Sequence, residues 1–87
     1  MSQLDDFSYE MVYELRDDLK AAGQIAWSTR IDDTLFGAVG SEILGNLRWE
    51  LRQLRTSEVA QQLHLERRLD SMLRALDRML APYFREP

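Results

Sequence analysis

Few residues in this chain are equipped to do chemistry. His64 is the single histidine and cysteine is absent, so a thiolate or multi-imidazole metal site and a histidine-based proton relay both lack members. His64 stands among Leu63, Leu65 and Glu66, off the main apolar stripe, and reads as a surface residue. No serine, histidine and acid form a set with a nucleophile elbow, and no glycine-rich phosphate loop follows a strand. The run "GAVGS" at 37–41 offers free N–H groups to an anion where a helix begins, but the lysine of a phosphate loop is missing. Carboxylates are more plentiful: Glu10, Glu14, Asp17 and Asp18 lie three or four apart, so that three of them share one helical strip, with Asp6 adjoining. Hard cations need ligands that converge from loops, and no such spacing is present. The expectation is a protein with no catalytic residue, no cofactor and no metal.

What remains is side chains suited to binding. The acidic strip is either a solvated helix face partly balanced by Arg16 and Lys20, or a contact for a basic partner. A second feature is "GAVGSEILGNLRWELRQLR" at 37–55, where Gly37, Ser41, Gly45 and Trp49 recur every fourth residue away from the leucines. At 100° per residue, Trp49 lies about 200° from Leu47, nearly opposite the core. Glycine inside a helix costs about 1 kcal/mol relative to alanine, so Gly45 calls for something packed closely against it. In one reading the chain's own N-terminal half supplies it, with Phe7, Trp27 or the Tyr9/Tyr13 edge lying over Gly45 and Trp49. In the other, Trp49 flanked by Arg48 and Arg52 anchors a protein interface, since tryptophan and arginine are enriched where binding energy concentrates. Arginines form a third set: Arg48, Arg52 and Arg55, then Arg67, Arg74 and Arg78. Glu50, Glu66, Asp70 and Asp77 interleave with them, which suits intrahelical ion pairs. The net charge of −4 and the lack of a motif weigh against a nucleic-acid surface.

The elements that carry these residues are helical. Prolines occur only at 82 and 87, and no stretch alternates with strand periodicity. A first helix is expected over about 6–22, with Phe7, Met11, Leu15 and Leu19 on one face and Gly23 as its stop. A short helix over about 30–38, capped by Thr29 with Asp32, would bury Ile31, Leu35 and Phe36. Ser41 then caps a helix carrying Ile43, Leu44, Leu47, Leu51 and Leu54. A similar stripe runs through Leu65, Leu69, Met72, Leu73, Leu76, Met79, Leu80 and Tyr83. The two stripes are nearly in phase, so 41–83 is either one long helix with Glu58, Gln61 and Gln62 on its seam, or a hairpin broken at Arg55–Ser57. The hairpin is the expected form, because a domain this small cannot cover both ends of a helix over 40 residues long.

The 87 residues make one domain, 1–87, near the size at which a single core is only just sufficient. Residues 1–40 carry eight acids and three bases, and residues 41–87 seven and eight, so the front is acidic and the back rich in arginine. The absence of cysteine, of a cationic-then-apolar leader and of an apolar run near the roughly 20 residues of a membrane span fits a cytoplasmic protein without membrane contact. From Trp27 through "GSEILGNLRWEL" the chain resembles a pattern of short, functionally uncharacterised all-helical bacterial proteins. There a tryptophan is followed by a small-residue turn, then Glu-Ile-Leu and Leu-Arg-Trp. The resemblance implies a stand-alone bacterial protein and pairs Trp27 with Trp49. The expected fold is all-α: a small antiparallel helical bundle of three main helices plus a short connecting helix. The expected function is non-enzymatic protein binding, in its concrete form a small bacterial inhibitor of the immunity or antitoxin kind. Its acidic face (Glu10, Glu14, Asp17, Asp18), together with Trp49, Arg48 and Arg52, would hold a toxin or effector. The alternative is a homodimeric structural or regulatory protein in which Trp49 and the leucine stripe meet their own copies.

Overall fold

The computed structural model describes residues 7–37 and 40–84, with the side chains of 41 and 82–84 outside that description. Five helices follow one another: α1 (Tyr9–Ala21), α2 (Ile25–Phe36), α3 (Ser41–Arg55), α4 (Glu58–Gln62) and α5 (Glu66–Phe84). The described residues hold no strand. The fold is all-helical.

Helix α1 starts later than its apolar periodicity implies. Ser8 is its N-cap in extended backbone, and Phe7, just outside, is buried in the same cluster as Val12. That places apolar residues at the positions before the cap and four into the helix, the staple that fixes the entry angle of a chain. At the far end Gly23 takes a φ of 85°. The Gly23 N–H donates to Lys20 O at 3.0 Å and the Gln24 N–H to Leu19 O at 2.8 Å. These two bonds form a Schellman closure, which needs a left-handed residue at its centre.

The connecting helix is not short. α2 begins at Ile25, five residues before the expected start, so Thr29 sits inside it and does not cap it. Ser28 occupies a core-facing position and is buried, and a polar residue there conceals one turn of the apolar repeat. Ile31 and Leu35 are buried as expected, but Phe36 is exposed. Helix α3 is entered through Gly40, not Ser41. Gly40 is the N-cap, with φ 62° and ψ −143°, a region open essentially to glycine alone.

The hairpin reading is correct, with a second break that the stripe does not reveal. At the end of α3, Thr56 Oγ1 donates back to Gln53 O and Ser57 Oγ to Leu54 O. Ser57 then caps α4, accepting the Ala60 N–H. After five residues α4 closes in another Schellman arrangement: the His64 N–H donates to Gln61 O at 3.3 Å and the Leu65 N–H to Ala60 O at 2.8 Å. Here the left-handed residue is His64, with φ 57°. Ala60 and Leu65 are both buried, the apolar contact that accompanies this closure. Thus the expected last helix is two, and the expected three main helices plus one short become four long helices and one short.

The core joins all five elements. Val12, Leu15 and Leu19 meet Ile31, Leu47, Leu51, Leu54, Leu69 and Leu76, each with no accessible surface. The closest helix pairings are α1 with α2, α2 with α3 and α3 with α5. Met11 and Glu14 line a hollow with Arg68, Ser71 and Met72, which brings α1 against α5 and closes the ring. In the order α1–α2–α3–α5, α1 and α3 lie across the core from each other. Ion pairs join each neighbouring pair: Arg16–Asp32 at 2.8 Å, Arg30–Glu50 at 2.8 Å, Arg48–Asp77 at 2.6 Å, Arg55–Asp70 at 2.7 Å and Arg68–Asp18 at 2.9 Å. Since 48 meets 77 and 55 meets 70, α3 and α5 run antiparallel. Arg48 and Arg55 therefore pair with acids of another helix and not, as their spacing suggests, along their own.

Candidate functional site

Two surfaces carry the expected binding residues, and the helix order separates them. Both are the outward face of one helix whose inward face is fully buried, so they look away from one another.

The first is the outer face of α1. Glu10, Glu14, Asp17 and Asp18 are all exposed, but they are not equivalent. Asp18 accepts from Arg68 Nη1 at 2.9 Å, which ties α1 to α5. Asp17 accepts from Arg16 Nε at 3.1 Å. Arg16 also donates to Asp32, and these two hydrogen bonds, chiefly that of Asp17, hold its guanidinium above its ordinary pKa. Glu10 and Glu14 make no ion pair with a described residue. Beside them Tyr9 and Tyr13 are each 38% exposed. The Arg16 guanidinium lies 5.3 Å from the Tyr13 ring centre, and the Phe7 ring meets Tyr9 edge-on at 5.6 Å. The tyrosines therefore do not cover Trp49. Residue types alone do not reveal this role. Their angle does, since Tyr13 lies about 160° from Leu15 around the helix.

The second surface is the outer face of α3. Trp49 is 57% exposed, in a shallow depression of about 430 Å³ lined by Gly45, Arg48, Trp49, Arg52 and Gln53, all from this one helix. A Cβ placed on Gly45 would meet no described residue within 4 Å. The expectation that Phe7, Trp27 or the Tyr9/Tyr13 edge lies over Gly45 and Trp49 is overturned, because among the described residues none of the N-terminal half lines this depression. Trp27 instead sits half-buried with the Arg30 guanidinium 4.1 Å from its ring centre. The fourfold repeat is also not one stripe, because Gly37 belongs to the end of α2. Arg48 turns sideways to Asp77, while Arg52 stays outward and exposed.

The same sideways turn takes Arg55 out of any arginine surface on α3. Arg55 grips Asp70 through Nε and Nη2, at 2.7 and 3.3 Å. That hydrogen bond pulls the Asp70 carboxyl below its ordinary value and raises Arg55. His64 is exposed at the α4–α5 break. Among the described residues, no three histidines, aspartates or glutamates converge as metal ligands, and no helix is long and apolar enough to cross a membrane. The "GAVGS" turn lies partly outside the described residues, as does Asp6. Comparison with protein-family models, with curated proteins and with solved structures gives no match.

Proposed function

We propose that this protein is a non-enzymatic binding module that engages a basic surface of another protein through the outer face of α1. The observation that carries this reading is the pairing of two uncommitted carboxylates, Glu10 and Glu14, with two half-exposed tyrosines on one helical face. Carboxylates without a cation of their own keep their field in solution, where it steers a positive partner within roughly 10 Å at moderate salt. Tyrosine adds contact area at low entropic cost, with a hydroxyl that can stay wet. Asp17 contributes a weakened charge, since Arg16 shares it. Asp18 serves the fold through Arg68 and is left out of the contact. In its narrower form, the module is a small bacterial inhibitor of the immunity or antitoxin kind that covers a basic functional site on a toxin or effector.

The test is charge reversal at Glu10, Glu14 and Asp17 together, read by capture from the native host and by helical circular dichroism. The reading expects a protein retained by the wild type and lost by the triple lysine variant, with helical content unchanged. Identical capture by both proteins would refute it.

A further inference from the structure

The outer face of α3 has a pattern that complements itself. Glu42, Gly45, Trp49, Arg52 and Thr56 are spaced three, four, three and four residues apart, the heptad spacing of a helix that packs along one seam. All five are exposed. Glu42 and Arg52 make no ion pair with a described residue, and Gly45 is open above its Cα. Let a second α3 lie antiparallel across this face, with the two-fold axis at the level of residue 47. Residues whose numbers sum to 94 then come opposite each other. Trp49 faces Gly45 of the second copy, and Gly45 faces that copy's Trp49. The same register sets Glu42 against Arg52 on both sides.

We propose that this face is a self-association surface whose occupant is a second copy of the chain, joined by an antiparallel α3–α3 seam. Each tryptophan fills the notch that the other copy's glycine leaves open, and two Glu42–Arg52 pairs bracket them. The glycine, which no described residue explains, thereby acquires a reason. Charge complementarity sets the register, because a shift by one heptad sets Trp49 against Arg52 and Gly45 against Thr56, which separates Glu42 from Arg52 and leaves both Trp49 rings without a notch. One helix per partner gives a contact at the small end of stable interfaces, so the dimer dissociates on dilution in the roughly micromolar range or above. The acidic face of α1 points away from this seam and stays open in the dimer. The proposal therefore stands or falls independently of the function above.

Sedimentation velocity over a concentration series, with tryptophan emission in parallel, tests it. The full chain should move from a 10.2 kDa species toward twice that mass, and its emission should shift to the blue as Trp49 leaves water. Glu42→Arg alone and Arg52→Glu alone should each weaken association about tenfold or more, by setting like charges opposite each other. The double variant Glu42→Arg/Arg52→Glu should restore it. A monomer at all concentrations would overturn the proposal, as would association indifferent to the single reversals or not recovered in the double.

Discussion

Substituting His64 by glycine should stabilise this protein, although it removes a side chain and adds backbone freedom. The closure between α4 and α5 needs a left-handed residue, and His64 supplies it at φ 57°. For an L-residue with a Cβ that conformation costs about 1–2 kcal/mol, with histidine among the more tolerant types. Glycine escapes the penalty but loses about 0.5–1 kcal/mol through its freer unfolded chain. His64 is exposed, so little packing is forfeited, and the balance is a gain of about 0.5–1 kcal/mol. For a domain of this length that corresponds to a rise in Tm of about 2–8 °C. Gly23 provides the opposite test in the same motif. It holds φ 85° with open space around it, so Gly23→Ala should cost about 1 kcal/mol through backbone strain alone. Thermal and urea unfolding by circular dichroism, at one low protein concentration, reads both. A His64→Gly variant that melts lower than the wild type would refute the account of the α4–α5 break.

Other perturbations follow from the same geometry. Gly40→Ala should destabilise by about 1–3 kcal/mol in urea unfolding, because its φ and ψ are closed to residues with a Cβ. Gly45→Ala should do the reverse, raising monomer stability by about 1 kcal/mol in dilute solution, since it sits in a helix with no described residue within 4 Å. Leu51→Ala, which empties a position with no accessible surface, should cost about 2–5 kcal/mol. The Arg55 hydrogen bond lowers the folded-state pKa of Asp70 below its ordinary 3.8. The pair's stabilisation is therefore present above about pH 4 and lost as pH falls through the depressed value. Urea midpoints measured from pH 6 down to pH 2 should fall less steeply for Asp70→Asn than for the wild type.

The helical class and the inward faces of α1, α3 and α5 were legible because leucines at spacings of three and four leave no other face to bury. The turn at Thr56–Ser57 was legible because hydroxyl side chains there serve the end of one helix and the start of the next. The start of α2 was hidden by Ser28, a polar residue at a buried position. The α4–α5 break was hidden because histidine fills a place that glycine usually marks. The angle of Trp49 on its helix could be read from residue numbers, but what covers it depends on the order of helices around the core. That order puts α1 across from α3 and leaves both outer faces uncovered by any other described helix. The ion pairs are hidden in the sequence for a related reason: Arg48 and Arg55 have acids within reach along the chain, yet packing brings Asp77 and Asp70 closer.

Hydroxyl-radical footprinting tests the central claim most directly, because Tyr9, Tyr13 and Trp49 are reactive probes placed on the two opposed faces. With the captured partner bound to dilute protein, oxidation of Tyr9 and Tyr13 should drop while Trp49 is oxidised as before. Protection of Trp49 by that partner, with both tyrosines still fully reactive, would contradict the account.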